Sequence, residues 1–469
     1  MITEILGRID DWVSLTVLLI ILAAGGIFFT VRTRFVQVRL FGHACKLVVE
    51  QPHEEKRVSS FQALMVSTAS RVGTGNIAGV ASAICIGGAG ALFWMWLMCI
   101  IGAASAFTES TLAQIYKMKD KDGNAFGGPA YYIEKALKGK KWLSIVFGFF
   151  LLMTYTCGFN LLASYNLQET FAVYPFYNKL TPIIVGAVLA VITGYCLFGG
   201  GKRVVKLTSV IVPAMGLFYV AISLIVIIAH FRSIPHMFGM IFRSAFDFKS
   251  IFGGFAGSCM ILGVKRGLYS NEAGVGSAPN ASASAHVSHP VKQGLVQTVS
   301  VYIDTMLLCT ATGLMCLSSG ATFGPDVKAT NFVQAAVSST FGKVGPVFIT
   351  VAMALFAFTT LLGNLYYADN ALAYMNHKVM PGKKFMTIFY IFAIVIIFVG
   401  ANLKAEAVWA LADLCMAGMV FINIPVIAGL SNTAVKALKD YEKQLKAGKD
   451  PVFHSKDIGL NPDELDFWK

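Results

Sequence analysis

Apolar residues run in long blocks along this chain, and short polar stretches separate them. A helix needs about 20 apolar residues to cross a bilayer, and blocks of that scale recur throughout. Eleven spans are predicted: 12–31, 60–86, 91–116, 142–172, 182–199, 206–230, 250–284, 293–318, 345–374, 385–401 and 405–430. Two of them, 60–86 and 250–284, are interrupted by glycine and polar residues. The pattern predicts an all-α polytopic membrane protein, one extra helix followed by two sets of five. Each set opens with its interrupted helix. An odd number of crossings per set makes the second set enter the membrane from the opposite side, which is an inverted-topology repeat.

The two interruptions resemble each other. Residues 71–83, RVGTGNIAGVASA, and 266–278, RGLYSNEAGVGSA, share Arg71/Arg266, Asn76/Asn271, Ala-Gly-Val and Ser-Ala at a constant offset of 195 residues. A repeated, broken membrane helix is the best sequence pointer to a transporter's binding site. The chain divides into an extra helix with a basic loop (1–59), a first repeat (60–230), an outer connection with the second repeat (231–430) and a polar tail (431–469). In the tail, Val435, Leu438, Tyr441 and Leu445 recur at helical spacing among lysines. That spacing predicts a short helix lying on the membrane surface.

Composition supports the membrane reading: 56% of residues are hydrophobic and 13% charged, against about 25% charged in soluble domains. The net charge of +13 would suggest nucleic acid if it were spread evenly. It is not: of 38 Lys and Arg, 27 fall on one set of alternate loops, 8 on the other, and 3 inside the interrupted helices. By the positive-inside rule the N-terminus lies outside and the C-terminus in the cytoplasm, and anionic headgroups account for the basic balance. The leading MITEILGRIDDW has no positive excess ahead of the first apolar run, so it does not read as a signal peptide. The nine cysteines lie mostly in apolar segments and form no CxxC pair, as expected of buried thiols. His286 and His289 share a polar loop without a neighbouring Cys or carboxylate, and no metal site is expected there.

The sharpest chemistry is at Gly73-Thr74-Gly75-Asn76. Glycine lets the chain leave helical geometry at low cost. A break frees carbonyls at the end of the first half-helix, which suit a cation, and N–H groups at the start of the second, which suit a carboxylate. The plainer alternative is a glycine-rich packing surface. The second interruption, read at Gly267-Leu268-Tyr269-Ser270-Asn271, adds free backbone and an aromatic wall in Tyr269. Thr359 and Thr360, with the Phe356 carbonyl one turn earlier, offer three oxygens to a hard cation such as sodium; alternatively each hydroxyl bonds its own helix. Arg71, Glu109, Arg266, Glu272, Asp304 and Asp369 all map in or near spans, where a charge needs a partner or water. An intramembrane enzyme would want a motif such as HExxH or GxSxG, and neither occurs. A channel would want an oligomeric filter, against which the repeat within one chain argues. Proton coupling through Glu109 or Asp369 remains the closer rival.

These residues resemble the sodium:alanine/glycine symporter family. GTGNIAGVASAI at 73–84, GGAGALFWMW at 87–96, GGPAYYIEKAL at 127–137, KRGLYSNEAGVGSAP at 265–279, HPVKQGLVQ at 289–297, IDT at 303–305 and FAFTT at 356–360 match its motifs in order. The resemblance implies the leucine-transporter-like 5+5 fold and sodium-coupled uptake of small neutral amino acids across the cytoplasmic membrane, with no cofactor beyond the coupling ion. It implies a sodium site made of the Ala69, Val72 and Phe356 carbonyls and the Thr359 and Thr360 hydroxyls. Gly73, Thr74, Gly75 and Asn76 would meet the substrate's backbone groups, and Tyr269 and Gly274 would line the opposite wall. Three positions depart from the family pattern. Ala163-Ser-Tyr165 stands where a Gln-x-Asn pair is usual, Asn364 where a Trp is usual, and GGAG at 87–90 where GGPG is usual. Ala163 in place of Gln and Asn364 in place of Trp are therefore expected to widen the pocket, and Asn364 to add polarity, toward a larger or more polar substrate, such as glutamine or serine; Tyr165 lies at the same expected contact region.

Overall fold

The computed structural model describes residues 13, 18–51, 57–120, 123–247, 258–403 and 405–468, the side chains of 405–407 excepted. The start of the first expected span (12 and 14–17) and of the seventh (250–257) lie outside the described residues. The described chain is almost entirely helical, with one two-stranded ribbon pairing Met118–Lys119 with Ala125–Phe126.

Helix α1 (Leu19–Arg32) and the short α2 (Phe41–Val48) precede the first interrupted span, which forms α3 (Ser60–Arg71), a 3-10 turn at Thr74–Asn76, and α4 (Ala78–Gly87). Ser59 starts α3 with a reciprocal cap: its Oγ accepts the Gln62 N–H (3.1 Å), and Gln62 Oε1 accepts the Ser59 N–H (3.0 Å). There follow α5 (Ala91–Ile115), α6 (Pro129–Ala136), α7 (Trp142–Val173), α8 (Thr181–Leu197), α9 (Gly201–Ala229) and α10 (Ile234–Ala245). The second half comprises α11 (Cys259–Asn271), α12 (Pro290–Ser318), α13 (Ala329–Phe341), α14 (Val344–Met375), α15 (Lys383–Gly400), α16 (Ala405–Gly429) and α17 (Ser431–Lys446). Seven helices among the described residues are long and apolar enough to cross a bilayer: α5, α7, α9, α12, α14, α15 and the Val408–Gly429 part of α16. Three shorter ones, α1, α8 and the Thr74–Gly87 stretch, are also apolar.

Helix α5 packs along α11 and α12 and against α1, while α14 packs against α3, α7, α9 and α13. The outer helices α8, α9 and α15 leave Ile184, Val191, Leu217, Phe218, Ile388 and Val395 exposed. An apolar surface of that extent is the signature of a lipid-facing wall.

Two expectations need correcting. The second interruption does not fall on 267–271, which is helical to Asn271. Gly267 serves close packing instead: a Cβ there would stand 3.0 Å from the Met95 Cα on α5. The chain unwinds one turn later, where Glu272 takes the left-handed conformation (φ 51°) and Gly274 and Gly276 sit at φ 85° and 89°, a region glycine enters without steric cost. The tail helix α17 does not lie free on a membrane surface either. Ala434, Ala437, Leu438 and Tyr441 bury its apolar stripe against the protein. Val435 and Leu445 are only half-buried. Beyond it Trp468 Nε1 donates to the Gln114 carbonyl (2.7 Å), and the Lys117 ammonium sits 3.8 Å from the Phe467 ring centre.

Candidate functional site

The first break exists because a side chain outcompetes the helix. The Gly73 N–H, which would close the next helical bond on the Ala69 carbonyl, donates instead to Asn76 Oδ1 (2.8 Å). The Ala69 carbonyl thereby loses its helical partner. Asn76 is held from the other side as well: its Nδ2 donates to Asp304 Oδ1 (2.6 Å) on α12. Asp304 lies in a π-helical stretch, Tyr302–Cys309, a distortion that recurs at functional sites.

The second break uses the same device with the opposite placement. Asn271 Oδ1 accepts the Ala273 N–H (3.0 Å), and Asn271 Nδ2 donates to Thr305 Oγ1 (3.4 Å). Adjacent residues of α12 thus hold both broken segments. The unwound stretch 272–278 is further clamped by Glu109, whose carboxylate accepts the Gly274 N–H (3.4 Å), the Gly276 N–H (3.1 Å) and Asn423 Nδ2 (3.0 Å).

Between the breaks lies a cavity of about 40 Å³, lined by Ser70, Arg71, Gly73, Thr74, Gly75, Phe159, Leu162, Ala163, Tyr269, Ser270, Glu272 and Thr360. A water needs roughly 10–15 Å³ on this measure, so the space is that of about three waters. Of the expected substrate residues, Gly73, Thr74, Gly75, Ala163 and Tyr269 line it. Four do not. Asn76 points to Asp304 and shapes the break from behind. Tyr165 turns to Glu169 (2.9 Å). Gly274 faces Glu109 and Asn423, and its carbonyl accepts Asn423 Nδ2 (2.9 Å). Asn364 is one layer out: it accepts from Ser70 Oγ (2.7 Å) and donates to Asn160 Oδ1 (2.9 Å).

The expected ion ligands also separate. Ala69, Val72 and Phe356 are fully buried. The Thr359 hydroxyl is tied to its own helix, 3.0 Å from the Leu355 carbonyl and 3.2 Å from that of Phe356. Thr360 Oγ1 is buried with no hydrogen-bond partner among the described residues, and it lies against Gly73. An orphaned buried oxygen beside a freed carbonyl end fits a small cation.

Sequence reasoning missed the amide side chains that support the cavity. Asn166 Nδ2 donates to Thr74 Oγ1 (2.9 Å), and Asn160 holds Asn364. Both amides sit on α7, whose apolar run conceals which face they occupy. Their spacing of six residues, with a π-helical stretch just before them at Met153–Gly158, gives no regular periodicity to read. Partners of the membrane cations also become visible: Lys265 pairs with Asp413 (2.6 Å), Arg266 lies 3.8 Å from the Trp409 ring centre, and Arg71 donates to Gln297 (3.4 Å).

Long apolar helices packed around two broken segments, with a small cavity between the breaks, define a multi-pass membrane protein. The chain belongs to the sodium:alanine symporter family, whose family model matches residues 1–455. It is 44% identical over 439 residues to the amino-acid carrier protein AlsT of Bacillus subtilis, covering 93% of this chain and 92% of that one. To the probable sodium/glutamine symporter GlnT of the same organism it is 40% identical over 467 residues (99% and 96% covered). To the putative sodium/proton-dependent alanine carrier protein YrbD, also from Bacillus subtilis, it is 42% identical over 475 residues (97% and 95%). The family is one of transporters, not enzymes.

Proposed function

We propose that this protein is a sodium-coupled symporter that carries a small neutral amino acid into the cell across the cytoplasmic membrane. The observation that carries the reading is the unwound Gly73–Asn76 turn. On one side is a freed carbonyl end beside the orphaned Thr360 hydroxyl. On the other, the Thr74 and Gly75 N–H groups open the next helical stretch at the cavity wall. The carbonyl end carries partial negative charge for sodium, and the N–H end carries partial positive charge for the substrate carboxylate. Sodium would sit among Ala69, Val72, Phe356 and Thr360, with Thr359 in support; the amino acid would occupy the cavity beneath Tyr269. In this reading the eleven spans form one extra helix and two inverted sets of five, with the N-terminus outside and the C-terminus cytoplasmic.

The relatives' names support amino-acid transport and leave the side chain open. Ala163, whose small side chain lines the cavity, supports a longer substrate such as glutamine or serine alongside alanine. The test is uptake of labelled amino acids into proteoliposomes under an imposed sodium gradient or an imposed proton gradient. Uptake driven by sodium and competed by glutamine or serine is expected. Uptake driven by protons alone would reject sodium coupling, and competition by alanine and glycine alone would reject the wider pocket. Proton coupling has one observation in its favour: Asp369 Oδ1 is buried without a hydrogen-bond partner among the described residues, while Oδ2 accepts from Tyr390 (3.0 Å). Glu109 is a poorer carrier, because three donors already hold its oxygens.

A further inference from the structure

We propose that Asn166 is a positioning residue that sets the direction of the Thr74 hydroxyl proton, so that Thr74 donates a hydrogen bond into the cavity to the substrate carboxylate. The inference rests on the amino-acid reading above and names the group that tunes it.

The argument is one of donors and acceptors. A threonine hydroxyl has one proton and two lone pairs. Asn166 Nδ2 donates to Thr74 Oγ1 at 2.9 Å, so this bond uses a lone pair and leaves the proton free. Thr74 makes no other side-chain hydrogen bond among the described residues, it is 3% exposed, and it lines the cavity. Asn166 is 1% exposed, so water does not compete for its amide. The backbone gives the same polarity: Thr74 opens the 3-10 turn, where N–H groups already favour an anion. A hydroxyl with its proton aimed into the same space adds a third donor. Ala163, one turn before Asn166, presents only a methyl to the cavity. On the α7 wall the amide of Asn166 therefore acts through Thr74 and not on the substrate itself.

The test is a double-mutant cycle on the full-length protein in proteoliposomes, with Asn166→Leu, Thr74→Val and the double variant. Alanine uptake is titrated, and alaninamide, which lacks the carboxylate charge, serves as competitor. A hydrogen bond to a charged group is worth about tenfold or more in affinity. Asn166→Leu is expected to raise the half-saturating alanine concentration by about that factor. The preference for alanine over alaninamide should fall with it, and half-saturating sodium should stay within about twofold. The double variant should be no worse than Thr74→Val alone, because one residue acts through the other. Asn166→Ala supplies the same test should the Leu variant not fold. Additive losses would overturn the proposal, as would an unchanged alanine-to-alaninamide preference; sodium-driven uptake in the wild type would meanwhile leave the transport reading standing. A wild type without sodium-driven uptake of any amino acid would overturn both.

Discussion

Gly73→Ala tests the ion site with a single methyl group. Gly73 has extended dihedrals (φ −128°, ψ −164°) that any residue can adopt, so backbone strain plays no part. The obstacle is Thr360. A Cβ on residue 73 would fall on the Thr360 hydroxyl oxygen, with Thr360 Cγ2 at 3.4 Å and Cβ at 3.5 Å. Thr360 cannot easily rotate away, because a β-branched side chain in a helix has few χ1 choices. Overpacking of this kind costs about 1–3 kcal/mol, and it falls on the orphaned oxygen assigned to sodium. Half-saturating sodium should rise by about 5- to 150-fold at saturating amino acid. The assay is initial uptake in proteoliposomes against external sodium. Thr360→Ala removes the obstacle and the ligand together, so Gly73→Ala in that background should have little further effect. A Gly73→Ala variant that titrates sodium like the wild type would refute the placement of the ion beside Thr360.

Three other outcomes follow from the same geometry. Thr360→Val should weaken sodium dependence more than Thr359→Val, because the Thr359 hydroxyl is already bonded to the Leu355 and Phe356 carbonyls; paired sodium titrations measure the order. Lys265→Met should destabilise the folded protein by about 3–5 kcal/mol, because it strands Asp413, which is 1% exposed and whose Oδ1 has no other hydrogen-bond partner among the described residues; thermal unfolding in detergent reads it, and Asp413→Leu should restore part of the loss. Stability should also fall in acid through His289, which burial, reinforced by the Lys292 ammonium, holds down to about 3 against the opposing pull of the Asp440 carboxylate 3.3 Å from its Nε2. With a lowered folded value, the unfolded chain takes the proton first as pH falls through about 6.5, so stability present above 6.5 is lost toward 3. The linked loss is about 2 kcal/mol at pH 5 relative to pH 8, and His289→Gln should flatten that part of the stability–pH curve.

Much of this was legible in the sequence because a bilayer leaves little choice. Buried backbone must be satisfied within each span, so hydropathy marks helices wherever they are long. The short elements were not legible. Helices α6, α10 and α13 lie in segments read as loops; in Ile234–Ala245 the stretch without a polar residue, Met237 to Phe242, is far too short for a span. The tail stripe was seen at Leu438 and Tyr441, but its partner was not. An apolar face looks the same whether lipid or protein covers it, and only the contacts of Tyr441 with His43 (2.6 Å) and of Trp468 with Gln114 reveal protein. At the site, Gly73, Thr74 and Gly75 line the cavity between the breaks. Tyr165 and Asn364 do not reach it, because alignment to a family pattern gives a position along a helix and not the rotation of that helix about its axis.

The two breaks show why the repeat was visible while its register was not. Both copies keep the Asn and the Ala-Gly-Val that follows, and in both the Asn carboxamide captures a nearby N–H. Asn76 captures one three residues before it, and Asn271 one two residues after it. The first segment is therefore unwound ahead of its Asn and the second behind. The glycines of the unwound stretches lie on opposite sides of the Asn: Gly73 and Gly75 precede Asn76, whereas Gly274 and Gly276 follow Asn271 at positive φ. The free amide of each Asn then reaches α12, to Asp304 in one case and Thr305 in the other. Any movement of α12 that breaks one of these bonds must disturb its neighbour's, one residue away. Two related sequences, broken on opposite sides of the same residue, are in this way tied to adjacent residues of one helix.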